Sequence, residues 1–425
     1  MVYPSLGRSF RRVRRAGVPV RRGSNLPRVG DHNRVLVVDL VRRNAGISRV
    51  EMSEQTGLTG QTISNICAHL TDQGLIREIG RASYGTGKWR TVYEVVPESR
   101  CAVGLHIDAA RTVLALVDLA GQVVDRQSIL TPATDDPRDA IDAITTEVRS
   151  IVARNAIPRP RLSGLGVASP GPINMGPGIV IAPPNLRGWT DVRLRDDLEL
   201  GLGIPVQLEK DTVAVATGEV WAGRVPSDDF AFVYLGTGSG VGLVLGGEVM
   251  HGASGNLGNF GHLQGDPDGP ICSCGGRGCL AVTAMPIHLV TAGRDAGLLE
   301  PFDPDDAATI ERALAHLCRL ADDGAAEARA IVEGAARGFA RVAANLTNTL
   351  DLDTVVFGGP NWRYLAPTFM SIVPGMIAAL HIFRDVHAVE VRGTSLGEDV
   401  GPIGAASLVL ASAVSARPDH LFLPV

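Results

Sequence analysis

The sequence predicts an α/β body preceded by a winged helix-turn-helix. Three observations lead there. Between residues 32 and 96 the apolar pattern passes from helical spacing, through two short capped segments, to strand-like runs around a basic glycine-rich stretch. From Cys101 onward, β-rich apolar runs alternate with helical patterns and glycine turns, as α/β units do. Deep in that second part, His262, Cys272, Cys274 and Cys279 crowd into one glycine-rich loop.

At 425 residues the chain is long enough for two or three domains, and its 45% apolar content is enough for proper cores. A net charge of −5 gives no whole-chain argument for nucleic acid. The distribution does. Arg8, Arg11, Arg12, Arg14, Arg15, Arg21, Arg22 and Arg28 fall in the first thirty residues, with no acidic residue among them. Residues 1–30 are expected to be a disordered arginine-rich tail with incidental affinity for nucleic acid; a DNA-contacting arm or a transit-type peptide are the other readings. No apolar run follows the arginines as a signal peptide requires, and no stretch reads as a membrane span. Six cysteines in so long a chain fit a reducing cytoplasm. Three of them, Cys67, Cys101 and Cys318, read as small core residues.

Residues 31–97 read as the DNA-binding domain. Val35, Leu36, Val38, Leu40 and Val41 recur at helical spacing from His32 to Arg43, and Asn44-Ala45-Gly46 breaks the run. Ser48 and Glu51 have the spacing of a capping box for a short helix ending at Gly57. A third helix runs from about Gln61 to Gln73, burying Ile63, Ile66 and Leu70. Gln61, Thr62, Ser64 and Asn65 stand near its start, where a recognition helix meets the major groove; Gln and Asn pair bidentately with adenine. Strand-like runs at Leu75–Ile79 and Thr91–Val96 flank a basic tip that carries Lys88 and Arg90, a wing able to touch the backbone or minor groove. A winged helix used for protein contact is the alternative.

Residues 98–425 form the body. Runs at Cys101–Ile107 and Val113–Leu119, a helix from Pro137 to about Asn155 and a strand at Leu165–Ala168 make one α/β unit. Phe232–Leu235 leads into the glycine-rich stretch Gly236–Gly242, which could cradle phosphate or simply turn a hairpin. Thr354–Phe357 runs into Gly358-Gly359. In the 262–279 loop, three thiolates and one imidazole are the tetrahedral set of a closed structural zinc site, and Gly275, Gly276 and Gly278 let the backbone wrap the ion. Reduced cysteines in a flexible loop are the bland alternative.

With this loop, the stretches Gly164–Pro172 and Pro184–Trp189, and the Gly236–Gly242 turn, the chain resembles the ROK family of repressors, open reading frames and kinases. It is most similar to the regulator branch, over about residues 32 to 415. The resemblance implies a two-lobed actin-like, sugar-kinase-type (ribonuclease H-like) body with a sugar or sugar-derived ligand between the lobes. It puts Asp211 where the family's kinases place their general base. It also implies that His262 ligates zinc while its loop shapes the sugar pocket.

The chain departs from the kinase pattern where phosphate is handled. The family's Asp-x-Gly-x-Thr turn corresponds to His106-Ile107-Asp108-Ala109-Ala110, which loses the magnesium-side aspartate and the hydroxyl donor and puts a carboxylate where phosphate approaches. In the sugar pocket the Asn-Asp pair becomes Lys210-Asp211, the Glu-x-Gly-His motif becomes Asn259-Phe260-Gly261-His262, and the glutamate after the last cysteine becomes Ala281. Asn185, Lys210, Asp211, Asn259 and His262 remain as candidate ligand contacts, with Lys210 suited to a phosphate or carboxylate. The expectation is a cytoplasmic, sugar-responsive repressor of carbohydrate-related genes. It would bind operator DNA as a homodimer or homotetramer, hold one structural zinc and have no catalytic residue, Asp211 being vestigial. An ATP-dependent sugar kinase carrying a DNA-binding domain is the alternative.

Overall fold

Helix α1 (Leu26–Arg43) begins ahead of the expected His32, inside the stretch read as tail. The computed structural model describes residues 26–83, 89–132, 134–222 and 225–414, so the rest of the tail and the wing tip with Lys88 lie outside the described residues. Strand β1 (Ile47–Ser48) leads into α2 (Arg49–Thr56). There Ser48 accepts from the Glu51 N–H while Glu51 accepts from the Ser48 N–H at 2.8 Å, and Gly57 closes the helix at φ 69°. Helix α3 (Gly60–Asp72) is capped by Thr59, which accepts from the Thr62 N–H at 3.2 Å, and it buries Ile63, Ile66, Cys67 and Leu70. Strands β2 (Ile76–Ser83) and β3 (Trp89–Val95) pair antiparallel as the wing, with β1 on the outer side of β3.

The first lobe of the body is a five-stranded sheet in the order β10-β7-β4-β5-β6. It comprises β4 (Cys101–Ile107), β5 (Arg111–Asp118), β6 (Val123–Leu130), β7 (Leu162–Ser169) and β10 (Val206–Lys210), with β7 parallel to both β4 and β10. Helix α4 (Pro137–Arg154), the short pair β8 (Ile173–Asn174) and β9 (Ile179–Val180), and α5 (Leu194–Leu202) cover it. Strand β6 escaped the sequence reading because its centre is Asp-Arg-Gln-Ser on a sheet edge, with no apolar alternation to mark it.

Helix α6 (Asp211–Ala222) crosses to the second lobe, a sheet in the order β13-β12-β11-β14-β15. Its strands are β11 (Phe230–Leu235), β12 (Ser239–Leu245), β13 (Glu248–Val249), β14 (Thr354–Gly358) and β15 (Glu390–Gly393). Helices α7 (Leu280–Thr283), α8 (Pro286–Asp295), α9 (Ala307–Asp322), α10 (Ala326–Leu350) and α11 (Trp362–Leu380) complete the lobe. Helix α11 is long and apolar enough to cross a bilayer, contrary to the sequence expectation. Its buried Leu365, Phe369, Val373 and Ile377 recur every four residues against the lobe core, which reads it as a core helix.

Helix α12 (Val400–Val414) is buried along nearly its whole length and returns between the sheets. It lies directly on the first sheet because Gly104 and Gly166 have no side chain; a Cβ there would stand 1.8 Å from the Pro402 carbonyl and 1.9 Å from that of Ala405. The DNA-binding domain is seated on the body. Val37, Val38 and Val41 of α1 share a buried cluster with Leu119 and Val414, each valine contributing roughly 1.5–3 kcal/mol by burial.

Candidate functional site

On α3, Gln61 and Asn65 are exposed one turn apart, and the Gln61 Nε2 donates to Asn65 Oδ1 at 2.9 Å. This leaves a carbonyl from Gln61 and an amide N–H from Asn65 facing out, the acceptor and donor that an adenine edge takes in the major groove. The Thr62 hydroxyl sits 2.9 Å from that of Thr59, and Ser64 is half-buried on the same helix. Arg90, half-buried, stands on β3 at the root of the wing.

The loop after β13 gathers His262, Cys272, Cys274 and Cys279 so that their ligand atoms all lie within 4.8 Å of one another. The Cys272 Sγ is 3.5 Å from His262 Nδ1 and the Cys274 and Cys279 sulfurs are 3.7 Å apart. Bond lengths of about 2.3 Å to sulfur and 2.0 Å to nitrogen put tetrahedral edges at about 3.8 and 3.5 Å, so these two edges match those around a zinc-sized ion. The Cys274 backbone N–H pulls the Cys272 thiol down to about 6, while burial pushes Cys279 up to about 11. Elsewhere burial pushes Cys67 and Cys101 to about 11 and Cys318 to about 12, the behaviour of inert core thiols.

The sugar-pocket candidates sit where several loops meet at the junction of β10 and α6. Asp211 Oδ1 accepts from Lys210 Nζ at 3.0 Å and from the Thr212 N–H at 2.7 Å, so its carboxylate is already engaged. The Thr212 hydroxyl donates to the Leu257 carbonyl at 3.0 Å, which fixes the segment leading to Asn259. Asn256 grips the loop after β7 from both sides, accepting from the Ile173 N–H at 2.7 Å and donating to its carbonyl at 2.8 Å. The Asn185 amide nitrogen lies 3.3 Å from where a side chain on Gly238 would start. Asn185 and Asn259 are exposed, and among the described residues their side chains make no hydrogen bond, so their polar atoms face open space. His262 is turned to the thiols instead. Ala281 sits 3.6 Å from a Cβ position on Gly261, too short to present any polar group. Thr212 and Asn256, which hold this pocket together, were missed; a lone hydroxyl or amide in a loop carries no sequence signal.

The stretch Gly236–Gly242 contains a tight hairpin turn, Gly236 N–H to the Gly238 carbonyl at 2.9 Å, followed by β12. Both donors of Thr237 are taken. Asp108 accepts from the Thr237 N–H at 3.1 Å, from the Thr237 hydroxyl, from the Tyr234 hydroxyl at 3.2 Å and from the Ala110 N–H at 3.1 Å. A side chain from the first lobe thus fills the anion-binding turn of the second. Burial pushes the Tyr234 hydroxyl well above its ordinary range and holds His106 below its own. His106 packs on the start of α12, where a Cβ on Gly401 would be 2.4 Å from its Nδ1. It lines a small cleft, open to solvent, with Asp108, Thr237, Asn361 and charged residues. The charges pair across its mouth: Arg111 with Glu311 at 3.3 Å, Arg363 with Glu311 at 2.7 Å and with Glu398, and Arg126 with Glu398 at 2.9 Å.

Comparison with known proteins bears on both parts. The ROK family model matches residues 102–412, and a winged helix-turn-helix DNA-binding model matches residues 31–77. A putative xylose repressor of Caldicellulosiruptor is 24% identical over 394 residues, 92% of this chain and 98% of its own. An N-acetylmannosamine kinase of Escherichia coli is 31% identical over 315 residues, 72% of this chain and 97% of its own. The crystal structure of a ROK family transcriptional regulator, a homologue of the E. coli MLC protein, superposes with a TM-score of 0.72 at 24% identity, covering 91% of this chain and 96% of the other. Relatives therefore carry the names of repressors and of kinases, and the repressor and the regulator structure are matched along the DNA-binding part as well.

Proposed function

The chain belongs to the ROK family and carries a winged helix-turn-helix ahead of the family's body, and from that premise we propose that it is a DNA-binding transcriptional regulator, a repressor of carbohydrate-related genes. A sugar or sugar-derived molecule at the junction of β10 and α6, met by Asn185, Lys210, Asp211 and Asn259, sets its affinity for operator DNA. Gln61, Thr62, Ser64 and Asn65 read the bases, while Lys88 and Arg90 touch backbone. His262, Cys272, Cys274 and Cys279 hold a structural zinc that cross-links the loop beside the pocket. Two copies, as a dimer or within a tetramer, place paired recognition helices on a palindromic site in the cytoplasm.

The observation that carries this reading is Asp108. Its carboxylate occupies the Thr237 donors that a γ-phosphate would need, and its charge repels the nucleotide. Asp211, the position of the kinase base, is meanwhile bonded to Lys210. A chain so arranged keeps the family's sugar cleft without its phosphoryl chemistry, which fits a sensor and not a kinase.

The test is fluorescence anisotropy of the full chain with duplex DNA from upstream of its own coding sequence, against excess unrelated DNA. A panel of D-xylose, D-glucose, N-acetyl-D-mannosamine and their phosphates is then added. Specific binding weakened by one compound supports the reading. Absence of specific binding, together with ATP-dependent phosphorylation of a sugar, would replace it with the kinase alternative.

A further inference from the structure

The DNA-binding domain meets the body through the ends of two helices. At α1, the Arg42 guanidinium lies 4.3 Å from the ring of Trp221, and Arg43 donates to the Val220 carbonyl at 2.7 Å. Trp221 and Val220 form the last turn of α6, whose first residue is Asp211. The apolar side of α1 rests on Val414, the last residue of α12. One helix of 12 residues, about 18 Å long, therefore has the sugar-pocket carboxylate at one end and the DNA-binding domain at the other.

Helix α6 is built to move as a unit. Val213 to Ala216 are fully buried, and one face packs on the second sheet through Val215 and Ala216. The opposite face crosses α12 backbone to backbone: a Cβ on Gly404 would stand 1.7 Å from the Ala214 carbonyl, and one on Gly218 would stand 2.6 Å from that of Val400. No flexible side chain lies between the two helices to absorb a displacement. The first turn is fastened to the pocket by the Thr212 hydroxyl on Leu257 and by Asp211 itself.

We propose that α6, crossing α12, is the rod that couples the ligand cleft to DNA, with Arg42 and Arg43 as the positioning residues at its joint with α1. A ligand engaging Lys210 and Asp211 shifts α6 at its crossing. Trp221 and Val220 then move beneath α1, and α1 carries α3 with it. Arg42 is well placed for this role. Its side chain is 4% exposed and its carboxylate partner, Asp39, lies on its own helix, so the platform beneath its charge comes from the body alone. Coupling between distant sites requires an element with two arrangements, and this crossing is assigned that role. This inference rests on reading the chain as a ligand-controlled DNA-binding protein.

The test is a double-substitution cycle on the full chain, read as DNA affinity with the upstream duplex and no sugar present. The parent, Asp211→Asn, Arg42→Met and the double variant are compared. Asp211→Asn is expected to change Kd at least about threefold in the parent and by a negligible factor beside Arg42→Met, a coupling that such cycles resolve. An equal factor in both backgrounds, or none in either, overturns the proposal. Should Arg42→Met fail to fold, Arg43→Ala removes the bond to Val220 together with an ion pair to Asp39 on its own helix, and is expected to reduce the factor. If the parent binds no specific DNA, the regulator reading itself fails, and hydrogen–deuterium exchange of residues 34–43 decides the rod. Exchange altered by Asp211→Asn in the parent but not beside the joint variant supports it; exchange unaltered in the parent refutes it.

Discussion

Replacing Asp108 by alanine tests whether a side chain has taken the place of a phosphate. Four donors converge on this carboxylate, two of them from Thr237 across the cleft. Hydrogen bonds to a charged group contribute about 1.5–3 kcal/mol each, so the pair across the cleft is worth about 3–6 kcal/mol gross. Against that stands the cost of holding a carboxylate at 9% exposure, several kcal/mol when charge is taken from water. The net loss expected in the variant is about 1–2 kcal/mol, which for a body of this size lowers the melting temperature by roughly 1–3 °C. The vacated donors should then accept an oxyanion. Inorganic phosphate at a hundred times its Kd would return about 2.7 kcal/mol and restore the melt. Differential scanning fluorimetry in phosphate against chloride at matched ionic strength reads both effects. The reasoning is refuted if the variant melts like the parent, or if phosphate stabilises parent and variant equally.

Two further predictions concern the other sites. The purified chain should contain one zinc, and Cys272→Ser should lose it and melt lower by about 2–5 kcal/mol, the range for removing a native cross-link; a zinc-free chain with an ordinary melt would dismiss the metal. Asn65→Ala and Gln61→Ala should each weaken operator binding by about 1–3 kcal/mol and relax base preference at one position, as measured by anisotropy on a set of single-base variants. Equal affinity for all of them would mean that a different face of α3 reads the DNA.

The elements most legible in the sequence were those whose signal is local. Ser48 and Glu51 lie three residues apart, and the capping box they form is present to the atom. The run Cys101–Ile107, apolar but for His106, is a fully buried strand with the expected ends. The cluster of His262, Cys272, Cys274 and Cys279 was readable because cysteines are scarce and their chemistry is narrow. What could not be read depends on contacts remote in the chain. The family resemblance matched Asp108 to a phosphate turn, but its bond to Thr237, 129 residues away, exists only once the lobes face each other. Strand β6 is held by pairing with β5 and not by its own composition. Arg42 looked like one more base on a helix end, and nothing local announced that Trp221 would lie beneath it.

The band of alternating charge at the cleft mouth gives ionic strength two points of entry into this protein. Arg111, Arg126 and Arg363 are each about two-fifths exposed, so their bridges to Glu311 and Glu398 lie within reach of dissolved ions and loosen as the Debye length shrinks from about 10 Å at 0.1 M salt. Salt also drives proteins off DNA by removing the entropy gained when counterions leave the phosphates. One variable thus slackens these bridges and weakens the hold on the duplex together. A salt titration of the intact chain would be steeper than its phosphate contacts alone account for, and the excess would measure how firmly this band of charge holds the lobes.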